Sequence, residues 1–532
     1  MSQLDELLRQ LPAFKEGIPM KVRVWSFYAF ILTFQLAGGI YLPSMSEMVG
    51  ETALMQEDIL MAGLASFLGI SMVFPILFRL KFRFTSRLIL QWVCAGLIVC
   101  NLVTMHTRSV PVLVVTCFFS GVLRMWGTFE CFSTIQLRIT PTRNFAVFFP
   151  VVYGTVFGCI QVSGLIATHL AWHFHWHYMH YFIIGLLLLV WLAARLLLRP
   201  FHMGKPLPLY GIDWLGAVMW TVGLLLIIFV ANYGEYYDWF HSPVICAALV
   251  AGVSCVALNI GRMFHIRHPY IDPKVYEFPK VVTIMAVFAA LALLSSSATV
   301  LQGAYTGGIL GYDHLNSISL NWPALLGTLA GAVCTLYALI RLHLTYKQVT
   351  VVGFVCILMY QVEFYFLISP DTNIEKLYLP VFIKNFGNVA IYIAMTVYLQ
   401  QMVPFIYFFQ ALGAVGFIRE GIGSPIANAI VGRILKVVQK ANYLSLGGEL
   451  DGTNPLASHL PFGAVYGELQ RQTLLVSLKE VYGYAVLAGI VFLLGVMAMR
   501  YRRIVHYVRM PPVEVFKRLL DIRMRPTSKN PL

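Results

Sequence analysis

Six ionisable side chains stand inside long apolar stretches of this sequence: Arg124 and Glu130, Glu363 and Lys384, and the adjacent Arg419 and Glu420. A charge at the centre of a hydrocarbon layer costs roughly 3 kcal/mol or more, so such residues mark ion paths, proton relays or structural ion pairs. A carboxylate there can take up and release a proton, and a nearby guanidinium shifts that equilibrium. Glu130 and Arg124 are six positions apart, ~240° around a helix, so they lie on different faces. The reading is that Glu130 carries a proton, with Arg124 tuning it from nearby in space; structural pairing is the alternative. Arg419 and Glu420 point ~100° apart, so their partners sit on other helices. Glu420 is the second candidate for proton coupling. Gly413, Gly416, Gly421, Gly423 and Pro425 around it suit a helix that packs closely and bends. Glu363 and Lys384 fall at similar depths on consecutive antiparallel spans and are expected to form a structural ion pair.

Aromatic and amide side chains could line a cavity for amphipathic compounds. The candidates are Gln35, Phe129, Tyr153, Gln161, Tyr305 and Tyr392. The histidines His169, His173, His175, His177 and His180 show no clean ligand spacing, and no carboxylate or cysteine adjoins them in sequence. With Trp172, Trp176 and Tyr178 among them, they read as a membrane-interface belt, and no metal site is expected. There is no Gly-x-x-x-x-Gly-Lys-Ser/Thr loop for nucleotide hydrolysis, and no enzyme is expected.

These residues must be positioned by membrane-spanning helices. The chain has 532 residues, 59% hydrophobic and 12% charged. Apolar segments recur near 24–46, 57–78, 88–106, 110–136, 145–170, 178–198, 212–233, 242–264, 281–302, 317–340, 348–369, 377–401, 405–435 and 476–499. Each approaches the ~20 residues that cross a bilayer, and none has the ~10-residue alternation of barrel strands. The fold class is therefore an all-α polytopic membrane protein. Its nine cysteines fall inside these segments and read as packing residues.

The net charge of +14 does not indicate nucleic acid, because the basic residues collect in loops on one side. Arg79, Lys81 and Arg83 occupy one such loop, Arg341 and Lys347 another; these five are read as gating-loop residues. The opposite loops carry Glu47, Glu51, Glu57, Asp58, Glu235, Asp238 and Asp313. Basic loops stay cytoplasmic, which predicts both termini inside a cell inner or plasma membrane. Residues 1–23 suggest an amphipathic helix on the membrane surface. Residues 436–475 suggest a long external connection, and 501–532 a basic tail with an amphipathic stretch from Val513 to Ile522. Arg79-Leu80-Lys81-Phe82-Arg83-Phe84 and Arg341-Leu342-His343-Leu344-Thr345-Tyr346 hint at an internal repeat at matched turns, as in transporters built from two halves.

The stretch from Gly211-Ile212-Asp213-Trp214-Leu215-Gly216 to Gly234-Glu235-Tyr236-Tyr237-Asp238-Trp239 resembles the extra seventh span of the fourteen-helix drug:proton antiporters of the major facilitator superfamily. His268-Pro269-Tyr270-Ile271-Asp272-Pro273, Leu301-Gln302-Gly303 and Arg419-Glu420-Gly421-Ile422-Gly423-Ser424 resemble other segments of that branch. The chain departs from it too. Phe34 and Gln35 stand where the first span usually carries an acid, and Cys159 replaces the usual proline of span 5. The loop Phe78-Arg79-Leu80-Lys81-Phe82-Arg83 lacks the usual glycine and acid. The resemblance implies two six-helix bundles, 24–200 and 280–500, with two extra helices inserted at 205–265. It implies export of an amphipathic or toxic small molecule in exchange for protons, with the proton gradient in place of a cofactor. In a Gram-negative envelope it also implies a periplasmic adaptor and an outer-membrane channel as partners. A small-solute importer on the same fold, or a non-transporting receptor or assembly partner, are the alternatives.

Overall fold

The computed structural model describes residues 11, 13–140, 144–201, 208–278, 280–448, 450 and 461–499. Among them, thirteen helices are long and apolar enough to cross a membrane. They follow a 17-residue helix, α1 (Met20–Leu36). The first set is α2 (Gln56–Arg83), α3 (Ser86–His106), α4 (Val110–Ile139), α5 (Phe145–His173) and α6 (His177–Leu197). Then come α7 (Trp214–Tyr233) and α8 (Pro243–Met263), which pack on each other. The last set is α9 (Val281–Ile309), α10 (His314–Ile340), α11 (Tyr346–Leu367), α12 (Ile374–Met402), α13 (Phe405–Gly448) and α14 (Phe462–Ala498).

Local chemistry sets many of the starts. A helix leaves its first N–H groups without partners, and a side-chain oxygen just before it satisfies one of them. Thr85 accepts from the Leu88 N–H, Asn144 from Ala146 and Asp213 from Gly216. Thr345 and Gln348 form a reciprocal pair at the start of α11. Pro111 and Pro243 sit in first turns, where a missing N–H costs nothing.

Four expectations are corrected. The first apolar segment ends at Leu36, not near 46, and a short helix, Met45–Thr52, follows. Gly39 has φ +80°, and a Cβ there would meet the Ser120 hydroxyl at 2.6 Å, so the backbone breaks where it passes α4. Residues 436–475 are not mainly a loop. α13 continues to Gly448 and α14 begins at Phe462, with Asn442 donating to Ser477 and Glu480 between them. Hydropathy stops where a helix leaves the apolar layer, but the backbone hydrogen bonds continue. At the N-terminus, Leu11 and Phe14 are fully buried, and Lys15 and Arg199 exchange backbone hydrogen bonds with Leu197 and Ala13. Residues 13–19 are thus a docked non-helical segment; the rest of the expected surface helix, and the tail with 513–522, lie outside the described residues. Finally, the two repeat-like stretches differ: 79–83 is helical within α2, whereas His343 sits at φ 49° in a turn.

The first six and last six helices meet along two seams. α5 packs on α10 through small residues, a Cβ at Gly154 lying 3.1 Å from Ala332. α2 packs on α13 where a Cβ added at Gly413, Gly416 or Gly421 would lie 3.1, 3.1 and 3.2 Å from Pro75, Ser71 and Leu68. Only small residues allow backbones this close.

Candidate functional site

Arg419 lies on α13, ~21 Å from its first residue at 1.5 Å per residue, inside a π-helical turn that runs from Phe417 to Ile422. Such turns redirect side chains and recur at functional sites. The guanidinium is held from two sides. Its Nε donates to Glu420 Oε1 at 2.7 Å. Its Nη1 donates to the Tyr153 hydroxyl at 2.7 Å and to Thr396 Oγ1 at 3.4 Å. Tyr153, which accepts from Arg419, also shares a hydrogen bond with the Thr396 hydroxyl at 2.8 Å. Tyr153 belongs to α5 and Thr396 to α12, so the network crosses the seam between the two sets of helices. The rings of Tyr153, Phe288 and Tyr392 stand 5.7, 5.5 and 5.6 Å from the guanidinium carbon, an aromatic cage for a cation. Arg419 is 4% exposed and Glu420 23%, so only the carboxylate is open to an incoming proton. The structure thus joins three sequence candidates, Arg419, Glu420 and Tyr153, with a fourth, Tyr392.

Arg124 does not reach Glu130. It donates to Gln35 Oε1 at 3.0 Å, and Gln35 donates to Thr128 at 2.9 Å. The carboxylate whose charge acts on it across the interior is Glu420. The expected tuning of Glu130 by Arg124 is therefore corrected: the partner of Glu130 is Lys81, 3.2 Å away, the two being 1% and 5% exposed. Ser86 donates to the same carboxylate oxygen at 2.6 Å, and Lys81 also donates to Thr134 at 3.0 Å. Its place among the basic residues of a cytoplasmic loop makes Lys81 a gating-loop candidate, and the structure corrects this. The continuation of α2 to Arg83 turns it inward, and a buried lysine requires a counter-charge.

Close to this pair in sequence, phenylalanines from both sets of helices pack together toward the end of the molecule that bears the basic loops. Phe78 stacks edge-on against Phe129, Phe405 and Phe409, with centroids 5.6, 5.5 and 4.3 Å away. Phe129 is thus part of a plug, not of an open cavity wall. Ser71 donates to the Gly416 carbonyl at 2.9 Å, and Asp272 N–H to Gln410 at 3.0 Å. Of the other gating residues, Arg79 lies beside Gly211, Arg83 and Arg341 are exposed, and Lys347 donates to the Met497 carbonyl at the end of α14.

The expected Glu363–Lys384 ion pair is absent. Lys384 instead faces the Tyr360 ring at 5.8 Å, and Glu363 Oε2 is buried without a hydrogen-bond partner. Equal depth on neighbouring helices fixed their height but not the direction in which each points. Tyr305 is also corrected as a cavity residue: it is fully buried and donates to the Ser369 carbonyl at 2.8 Å. Gln161 contributes only its backbone carbonyl, accepting from Asn321 at 3.3 Å.

Outside the apolar layer, α7 is anchored at both ends. Asp213 makes a two-pronged contact with Arg262 of α8 at 2.8 and 2.7 Å. Partial burial opposes ionisation of Asp213, but these bonds outweigh it and hold its carboxyl below the ordinary range. At the other end Asn232 donates to the Glu57 carbonyl and Tyr233 to Asp58, both on α2. Glu235 reaches Lys436 of α13 at 2.9 Å and Arg433 at 3.8 Å. Desolvation opposes its ionisation as well; hydrogen bonds from Trp239 and Lys436 prevail and depress its pKa. Nearby, the histidine cluster acquires a carboxylate after all. The helix Met45–Thr52 carries Glu51 to 2.8 Å from His175 Nε2, a contact between distant parts of the chain that local spacing does not show.

No protein-family model matches the chain, and no curated protein matches it. Among solved structures it is similar to the nucleoside transporter NupG, with a TM-score of 0.54 and 11% identity over 90% of this chain and 100% of that one. It is similar also to the peptide transporter POT in complex with sulfate, with a TM-score of 0.59 and 14% identity over 93% and 98%. A third is the human organic anion transporter MFSD10, with a TM-score of 0.50 and 9% identity over 89% and 100%. At these identities the likeness is one of fold. The chain shares with these structures an all-helical fold whose apolar helices pass a membrane many times.

Proposed function

We propose that the chain is a proton-coupled secondary transporter that exports amphipathic compounds, with Glu420 as the proton-carrying group and Arg419 as the substrate contact. The observation that carries this is the guanidinium shared between Glu420 and the seam-crossing pair Tyr153 and Thr396. Protonating Glu420 removes one hold on Arg419. An acidic group on a substrate competes for the same guanidinium and removes the other. If either event alone frees the seam, proton and substrate move on alternate legs, which is exchange. Two guanidiniums, Arg124 and Arg419, near one carboxylate favour a substrate with a negative end, and the Tyr153–Phe288–Tyr392 cage suits its apolar body. α7 and α8 are assigned as the inserted pair, α1 as the first of fourteen spans, and the basic loops as cytoplasmic, in an inner or plasma membrane. Delivery to a periplasmic adaptor belongs to this same reading.

A second reading, import by cotransport, follows if proton and substrate must both bind before the seam opens; the nearness of Arg124 to Glu420 favours it. Reconstituted vesicles under an imposed pH gradient separate the two. In exchange, a fluorescent amphipathic acid moves against the direction of proton flow; in cotransport it moves with it. Glu420→Gln should retain binding of the acid and lose gradient-driven movement. Undiminished gradient-driven movement in that variant would overturn the assignment.

A further inference from the structure

We propose that His175 and His177, with Glu51 orienting His175, form a binding site for a divalent transition metal, best suited to Zn2+, at the end of the molecule opposite the basic loops. The hydrogen bonds around the two imidazoles carry the argument. His177 Nε2 lies 3.3 Å from the Met105 carbonyl, which can only accept, so this nitrogen bears the hydrogen. His175 Nε2 lies 2.8 Å from the Glu51 carboxylate, so it too bears the hydrogen. A neutral imidazole carries one N–H, which leaves the lone pair of each ring on Nδ1. The His177 backbone N–H, 3.3 Å from His175 Nδ1, agrees that this atom is an acceptor. Yet the two Nδ1 atoms face each other at 2.8 Å. Two lone pairs approach this closely only around a shared cation.

That cation is a proton or a metal ion, and the surroundings favour a metal. The two Nδ1 atoms face one point, and Glu51, which clusters with both rings, accepts from His175 Nε2 and orients that ring from outside the ion's own ligands. Two nitrogens on one tetrahedral Zn2+ stand about 3.3 Å apart, an adjustment of roughly half an ångström from the present spacing. Ring N–H groups donating to a backbone carbonyl and to a carboxylate are the outer contacts that orient metal-bound histidines. Trp176 Nε1 donates to Glu51 Oε2 at 2.5 Å and steadies the carboxylate. Imidazole nitrogens suit Zn2+, Cu2+ or Ni2+ over Mg2+ or Ca2+. The ion would fasten the Met45–Thr52 helix, which leads into α2, to the turn between α5 and α6.

The test uses the full chain purified in detergent, stripped with a chelator and titrated with ZnCl2 at neutral pH by calorimetry. The expected result is one Zn2+ per chain. His175→Ala and His177→Ala should each weaken binding by at least about tenfold, and Glu51→Gln by several-fold to about tenfold. His169→Ala and His173→Ala should bind as the parent does. No binding by the parent would mean that the rings share only a proton, and overturns the site. Binding that survives loss of His175 or His177, or that fails with loss of His169 or His173, also overturns it. A footprint on the unaltered chain guards against misfolded variants: Zn2+ should shield His175 and His177 from diethyl pyrocarbonate while His169 and His173 still react. Equal reactivity with and without the ion counts against the site.

Discussion

The Lys81–Glu130 contact gives the sharpest quantitative prediction. Both groups are almost fully buried, and the lysine is the only cation on the carboxylate among the described residues. Lys81→Met leaves Glu130 with the Ser86 and Thr134 hydroxyls alone, and an uncompensated buried charge costs about 3–5 kcal/mol. Glu130→Met strands the lysine at a similar cost. The double variant removes both charges. Thr134 keeps its bond to the residue-130 backbone carbonyl, 2.7 Å away, so only the Ser86 hydroxyl is left unsatisfied, worth about 1–3 kcal/mol. The single costs should therefore fall short of additivity by at least ~3 kcal/mol. Reversible unfolding in mixed detergent micelles, followed by tryptophan fluorescence, measures all four corners of the cycle. Costs that add to within ~0.5 kcal/mol would show that the two groups do not interact and would refute the reasoning. A transport arm completes the test. Glu130→Gln should keep gradient-driven movement per folded molecule; its loss with the fold intact would transfer the proton-carrying role from Glu420 to Glu130.

Three further outcomes are expected. Tyr153→Phe keeps the ring over Arg419 but removes the hydroxyl that bridges to Thr396, so it should cost about 1.5–3 kcal/mol in the same unfolding assay and loosen the seam; a change below ~0.5 kcal/mol would show that the hydroxyl bridges nothing. Exchanging Glu363 and Lys384 charges together should not rescue either single reversal in expression or thermal stability, because the two are not in contact; clear rescue would restore the ion pair. The Asp213 carboxyl is held below its ordinary value, so its contribution is present above the unfolded-state pKa of about 3.9 and is lost as pH falls through the lower folded value. Asp213→Asn should therefore flatten the acid side of the stability profile below pH ~4, and a profile that overlays the parent would remove Asp213 from the account.

Sequence reasoning located the apolar helices well because hydrocarbon imposes a length and a composition that any span must meet. It failed where backbone geometry or distant contacts decide. Nothing in the hydropathy of 24–46 marks Gly39 as the point at which α1 must break to clear Ser120; the Gly38-Gly39 pair was the available signal. Lys81 looked like any loop lysine until α2 was continued by one turn, and its amphipathic placement between Phe78 and Phe82 was the clue. Glu363 and Lys384 had the right depth, but depth is one coordinate of three. Arg419 and Glu420 were legible as a candidate pair because adjacent opposite charges in an apolar segment are costly. The Tyr153 and Thr396 that complete the network lie on other helices and leave no local trace.

The contacts that hold the two sets of helices together are unequal in kind at the two ends of the molecule. From the basic end to the middle of the layer they are buried: the Phe78–Phe409 plug, then the Ser71–Gly416 hydrogen bond and, deeper, the Arg419 network. Each such element is worth on the order of 1 kcal/mol or more, and they act together. At the opposite end, besides the α5–α10 packing where Asn321 donates to the Gln161 carbonyl, a polar tie runs through α7, from Asp58 and Glu57 on one side to Lys436 and Arg433 on the other. The Glu235 and Lys436 side chains there are 37% and 57% exposed, and an exposed ion pair contributes about 0–1 kcal/mol and weakens with salt. The exposed pair is the weakest of these contacts, whereas the buried set holds until a chemical event at Arg419 releases it. In the proposed cycle the gate that must answer to proton and substrate is therefore the buried one, and that is where the charged residues of the apolar helices converge.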